Sequence, residues 1–183
     1  MLDGSCPSGA RVRPFLSPHV TAEVASDDWQ LAAYFALRER IFAEEQRLFR
    51  TSDRDDFDTH ATPIVALSRV AGMADEVIGV VRIYEQAPGV WFGGRLAVCD
   101  RYRRHGAVGK ALIECAVSTA HAWGCRRFFA TVQERNVRYF ERHAFRPLEA
   151  IELFGSPHSL MEANLDVYPP CRRASRQRAR SAA

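Results

Sequence analysis

Several things are scarce in this 183-residue chain, and each absence removes a class of explanation. No apolar run approaches the ~20 residues that span a bilayer as a helix. The first eighteen residues contain Gly, Pro and Ser but no continuous apolar stretch, so a secretory signal is not expected. Cysteine is sparse: Cys6, Cys99, Cys115, Cys125 and Cys171 are odd in number, widely scattered, and form no C-x-x-C pair. That spacing argues against a zinc site and against a disulfide framework, and points to a reducing, cytoplasmic setting without metal. Internal repeats are also missing. With 47% hydrophobic and 26% charged residues, the remainder has the composition of one ordinary globular domain.

Positive charge is plentiful but unevenly placed. The segment after Tyr168 carries Arg172, Arg173, Arg176, Arg178 and Arg180 and no acid, so the formal net charge of +3 conceals a mildly acidic body. Residues 1–18 and 169–183 read as disordered ends, and 19–168 as the folded domain. The tail lacks the interleaved aromatics or reading helix of a nucleic-acid binder, so nucleic acid is not the expected partner.

Within the domain, His19 to Ala25 alternates as a first strand. A helix follows from Asp27 or Asp28, with Leu31, Tyr34, Phe35, Leu37, Arg38, Ile41 and Phe42 at helical spacing. The acidic loop Asp53-Arg-Asp-Asp-Phe-Asp58 comes next. Strands are expected at Pro63–Val70, Glu76–Tyr84 and Val90–Val98. A second helix places Val108, Leu112, Cys115, Ala116 and Thr119 on one face and stops at Gly124. A short strand at Arg127–Val132, a short helix at Asn136–His143 and two final strands complete an α/β order with a mixed sheet.

The segment Arg95 to Ile113 is the most telling. An apolar strand runs into a basic, glycine-containing turn that opens directly into a helix, an arrangement that gathers backbone N–H groups and the positive helix end at one point. Arg103, Arg104 and Lys110 add charge, so a phosphorylated ligand is expected there.

The pattern Arg104-x-x-Ala107-x-Gly109 resembles the acyl-CoA pyrophosphate loop of GCN5-related N-acetyltransferases (GNAT), usually Gln/Arg-x-x-Gly-x-Gly/Ala. Leu96-Ala97-Val98 before it, Asn136 after the next strand, and Tyr139-Phe140-x-x-x-Ala-Phe145 match the family in order and spacing. The resemblance covers about residues 20–168. It implies the GNAT fold, a mostly antiparallel central sheet flanked by helices, and acetyl-CoA as co-substrate. The CoA contacts would come from Leu96, Ala97, Val98, Arg103, Arg104, His105, Gly106, Ala107, Val108, Gly109, Lys110 and Asn136. The pattern departs from the family in two places. Ala107 stands where the first loop glycine usually sits, and Phe140 where many members carry the tyrosine that protonates the leaving thiolate. Tyr139 is one residue away, about 100° around the helix.

Arg38-x-x-Ile41-Phe42-x-x-Glu45-Gln46, then Asp55-x-x-Asp58, then Gly155-x-Pro157-His158-x-x-Met161 look like the ElaA-like branch and like some acetyltransferases associated with nitrogen starvation. A related arrangement of arginine, phenylalanine and paired aspartates occurs in acyl-homoserine-lactone synthases. In this resemblance those residues form the acceptor side of the cleft. His158 or Glu45 would then be the general base, and Tyr139 or solvent the acid. Arg38, Asp55 and Asp58 would bind the acceptor, and the acidic loop suggests a small cationic amine. The expected activity is direct N-acetyl transfer to a primary amine, with a homodimer kept open. A catalytically weak acyl-CoA sensor is the alternative, and an acyl-homoserine-lactone synthase ranks last.

Overall fold

Alternating apolar positions in the strands and a 3.6-residue apolar period in the helices leave little choice but a sheet covered on both faces. The computed structural model describes residues 16–49, 52–153 and 155–171. In chain order it contains β1 (Val20–Val24), α1 (Asp28–Glu39), β2 (Thr62–Val70), β3 (Met73–Ala87), β4 (Val90–Val98), α2 (Ala107–Ala122), β5 (Arg127–Gln133), α3 (Val137–Glu141), β6 (Phe145–Leu153) and β7 (Ser156–Ala163). The seven strands form one sheet in the order β1-β2-β3-β4-β5-β7-β6. Every neighbouring pair is antiparallel except β4 and β5, which α2 joins as a crossover. This is the expected α/β class with a mostly antiparallel sheet.

The expected ends need adjustment. Ser17 is buried and its hydroxyl bonds the Arg69 carbonyl, while the Cys171 N–H bonds Ser118 O, so the ordered domain reaches beyond 19–168 on both sides. Residues 1–15, with Cys6, and 172–183 lie outside the described residues. No helix among the described residues is long and apolar enough to cross a membrane.

Two helices cover opposite faces of the sheet. At Gly79 a side chain would run into Leu112 and Val108 of α2, so this glycine lets the helix sit close to β3. Arg82, three residues on, points to the other face, toward α1 and the acidic loop. The core is dominated by fully buried Ile64, Leu67, Ile78, Ile83 and Leu112, each worth about 1.5–3 kcal/mol of burial.

A buried charge network ties α1, the acidic loop, β3 and β4 together. Arg38 is 0% exposed, and its Nε donates to Asp53 Oδ2 at 2.7 Å, Nη1 to Asp58 Oδ1 at 2.6 Å and Nη2 to Asp58 Oδ2 at 2.8 Å. Arg82 forks onto Asp55 with two 2.6 Å bonds and reaches Asp58 at 2.8 Å. Arg95 closes the ring through the Asp53 carbonyl at 2.9 Å and Asp55 Oδ2 at 3.0 Å. Asp55 also caps the 3₁₀ turn Asp56–Thr59, accepting from Phe57 N–H while Asp58 accepts from Asp55 N–H. Burial alone would raise the Asp58 carboxyl, but hydrogen bonds from Arg38 and Arg82 outweigh it and hold the group well below the ordinary carboxylate range.

Replacing Arg38 by leucine takes one partner from buried Asp53 and one from partly buried Asp58, and is expected to cost about 3–5 kcal/mol in urea unfolding; a loss below about 1 kcal/mol would contradict the network's role. Because the folded state depresses Asp55 and Asp58, the stability they contribute is present above their unfolded value near ~4 and drains away as pH falls below it. The Arg38→Leu variant should therefore lose less stability than wild type between about pH 5 and pH 3.

Candidate active site

The sheet does not stay closed. β4 and β5 pair in parallel from Val90 and Arg127 only as far as Gly93 and Ala130, then separate. A β-bulge adds to the opening: Val80 faces Ala97 and Arg82 faces Gly94, so Val81 stands opposite both Arg95 and Leu96. Arg95 takes φ of +56° there, in the left-handed region that glycine normally occupies at such bulges. A backbone held this way costs on the order of 1–3 kcal/mol. The bonds from the Arg95 guanidinium to Asp53 and Asp55 hold the strained residue in place.

The gap is continuous with a cavity of about 280 Å³ that passes from one face of the sheet to the other. Ile113, Val117, Phe128, Asn136, Phe140 and Phe145 line the end beneath α2 and α3. The end toward α1 is lined by Phe42, Gln46, Phe49, Arg82, Tyr84 and Arg95, with His158 on the same side. Strand alternation fixes that side: His158 lies opposite Gln133, which shares a face of β5 with Phe129, and Phe129 packs on Phe92, itself opposite Tyr84. The segment after α1, Arg40–Glu45, winds as a π-helix and presents Phe42 to the cavity.

At the other end, the turn after β4 builds the anion site. Gly106 adopts φ +61° and reverses the chain into α2, whose first helical bond runs from Lys110 N–H to Gly106 O at 3.2 Å. The N–H groups of Ala107, Val108 and Gly109 thus stand at the positive end of a 16-residue helix. Arg104 and Lys110 are exposed beside it. Arg103 is engaged differently: its Nε donates to Val98 O at 2.8 Å and its Nη2 to Glu45 at 2.6 Å, pinning the end of β4 to the π-helix. His105 falls in the same turn. Leu96 lines the cavity, and Ala97 and Val98 pair with Val80 and Gly79 on the β3 side of the strand, leaving the β5 side open.

His158 is buried, and its Nδ1 lies 2.9 Å from Ser156 O. A carbonyl only accepts, so Nδ1 carries a proton there, and in the neutral ring this leaves the lone pair that a base requires on Nε2. Several other expected residues are placed elsewhere. Glu45 is not part of the cavity wall; it is spent on the half-exposed ion pair with Arg103. Tyr139 also stands off the cavity, its hydroxyl donating to Gly106 O at 3.3 Å and filling the space a side chain at Gly109 would need. Arg38 is fully buried and Asp58 saturated by Arg38 and Arg82, so neither can touch an acceptor; Asp55, bound by Arg82 and Arg95, does not line the cavity. The acidic loop is neutralised by arginines, which removes the physical reason for a cationic acceptor.

Sequence reasoning missed Arg82, Tyr84, Phe49 and Arg95 as cleft residues. Arg82 did carry a signal, since a lone charge inside the apolar run Val77–Tyr84 must be paired or functional. Among the described residues, no group of three His, Cys, Asp or Glu side chains could hold a metal ion. Tyr139→Phe should raise the KM for a CoA-bearing substrate more than it lowers kcat, because its hydroxyl supports the loop. A kcat loss of about 100-fold with unchanged KM would instead mark it as the acid.

Comparison with known proteins agrees with this geometry. The profile of the acetyltransferase (GNAT) family matches residues 25–145. Among solved structures, a Lactobacillus plantarum protein assigned as an N-acetyltransferase superposes with a TM-score of 0.70 at 24% identity, covering 79% of this chain and 97% of its own. Escherichia coli ElaA gives 0.65 at 21% identity, covering 80% and 99%. An acyl-CoA N-acyltransferase from Pseudomonas aeruginosa gives 0.64 at 20% identity, with the same coverage of 80% and 99%. A search of curated protein sequences finds no significant match.

Proposed function

Since the chain belongs to the GNAT acetyltransferase family, we propose that it transfers the acetyl group of acetyl-CoA directly to the primary amine of a small acceptor. The observation that carries this reading is the opening between β4 and β5, with an anion-binding helix end on one side and His158 on the other. The CoA diphosphate takes the N–H groups of Ala107 to Gly109, with Arg104 and Lys110 nearby. The pantetheine arm lies in the gap and pairs with the open edge of Leu96 to Val98, beside Asn136. Backbone N–H groups at the bulge meet the thioester carbonyl and stabilise the negative charge that develops there.

The amine approaches from the face of Arg82, Tyr84 and His158. His158 Nε2 accepts a proton from the acceptor ammonium or, through water, from the attacking amine. The amine nitrogen forms the new bond to the acetyl carbon as the carbon–sulfur bond breaks, and the thiolate is protonated by solvent. Phe140 offers no hydroxyl for that last step. Burial pushes the Cys125 thiol up to about 11, so it is no competing nucleophile, and together with buried Cys99 it suits the reducing cytoplasm in which we place the reaction.

His158→Gln should lower kcat by roughly 10²–10⁴-fold with little change in acetyl-CoA affinity. Arg104→Ala should raise the acetyl-CoA KM, and an unchanged value would sink the loop assignment. CoA release measured across a panel of primary amines tests the activity itself. Tight acetyl-CoA binding with no turnover on any of them would identify a sensor instead.

A further inference from the structure

At the acceptor end of the cavity two arginines carry guanidinium N–H groups that their carboxylate partners leave unmatched. Asp55 accepts from Arg82 Nη1, Arg82 Nη2, Arg95 Nη2 and Phe57 N–H, which uses the capacity of a carboxylate. Asp58 is filled in the same way by Arg38 Nη1, Arg82 Nη1, Arg38 Nη2 and Asp55 N–H. Asp53 is 1% exposed and held by Arg38 and Arg95. None of the three lines the cavity, whereas Arg82 and Arg95 both do.

The arginines are not used up. Arg82 is 4% exposed, and its Nε is buried with no hydrogen-bond partner. A buried orphan N–H of a charged group costs on the order of 1–3 kcal/mol, so it calls for a partner. Nη1 of Arg95 likewise has none among the described residues; the guanidinium lies 4.7 Å over the Phe49 ring at the cavity wall. Gly94 sits between the two. A side chain there would meet nothing but Arg82 Nε, at 3.7 Å, so the missing Cβ leaves free space beside that nitrogen.

Building on the acetyltransferase reading, we propose that the corner formed by Arg82, Gly94 and Arg95 binds a carboxylate of the acceptor, making the acceptor an amino acid rather than a simple or cationic amine. A carboxylate is planar and singly charged, which suits one unpaired guanidinium N–H from each of two arginines that line the same cavity; a phosphonate dianion would bury a second charge with no donor for it. Phe49, Tyr84 and Phe92 make the surrounding wall aromatic, so the amino-acid side chain is apolar. The carboxylate anchors the molecule and leaves its α-amine toward His158.

The test is calorimetric binding to the CoA-saturated protein, combined with acetylation rates. Its probes are phenylalanine, phenylalaninamide, 2-phenylethylamine and the phosphonate analogue of phenylalanine. Phenylalanine should bind and react roughly 10–100-fold better than the amide and the amine. Gly94→Ala should collapse that ratio toward one. It should fold, because the new methyl makes an ordinary contact and the site does not need a left-handed backbone. Arg95→Gly, which relieves the strained φ, should collapse the ratio too. Equal or better binding of the amine, tighter binding of the phosphonate, or a ratio unmoved by either variant would overturn the proposal. Phenylalanine that binds selectively yet is never acetylated would support the subsite and defeat the transferase reading.

Discussion

The structure depends on one set of interactions, the buried pairing of Arg38, Arg82 and Arg95 with Asp53, Asp55 and Asp58. Three guanidinium groups and three carboxylates taken from water would be costly singly, and they are tolerated because each meets a partner at hydrogen-bonding distance. The network does more than offset its own desolvation. It fastens an irregular loop to α1 and to two strands of the sheet, and so decides where the floor of the cavity lies. An apolar core at the same place could support the loop, but it could not present guanidinium edges to a ligand.

The network is also mechanically coupled to the opening in the sheet. The same Arg95 that bonds Asp53 and Asp55 carries the left-handed backbone of the β4 bulge. Where β4 bulges it leaves β5, and where it leaves β5 the cavity passes through. Strain in the strand, charge pairing in the loop and the path we propose for the CoA arm thus meet at one residue. At the far end, Arg103 ties the end of β4 to the π-helix that supplies Phe42, so both ends of the cleft lean on the same α1 extension.

Much of this was legible in the amino-acid order, and the limits are instructive. Strong local periodicity gave α2 and β4 nearly to the residue, and the basic turn with Gly106 announced the helix end. His158 could be singled out because it is a histidine at a strand entrance, and the structure places it in the cavity wall. What could not be read was pairing across long sequence separations. Asp55 and Asp58 look like an acidic, solvated loop until Arg82 and Arg38 are brought against them, 27 and 20 residues away, and then their charge is paired. The contacts of Glu45 and Tyr139 were hidden for the same reason: their partners, Arg103 and Gly106, lie 58 and 33 residues off. The bulge at Arg95 breaks strand alternation, and no local pattern signals it.

The central claim is that the separation of β4 from β5 is a CoA channel whose reacting end faces His158 and the arginine corner. A crystal structure of the protein with CoA and phenylalanine tests it most directly. The account predicts the diphosphate on the N–H groups of Ala107 to Gly109, the sulfur in the gap beside Leu96 to Val98, and the amino acid's carboxylate against Arg82 Nε and Arg95. CoA bound away from the α2 N-terminus, or a sulfur on the face opposite His158, would contradict it.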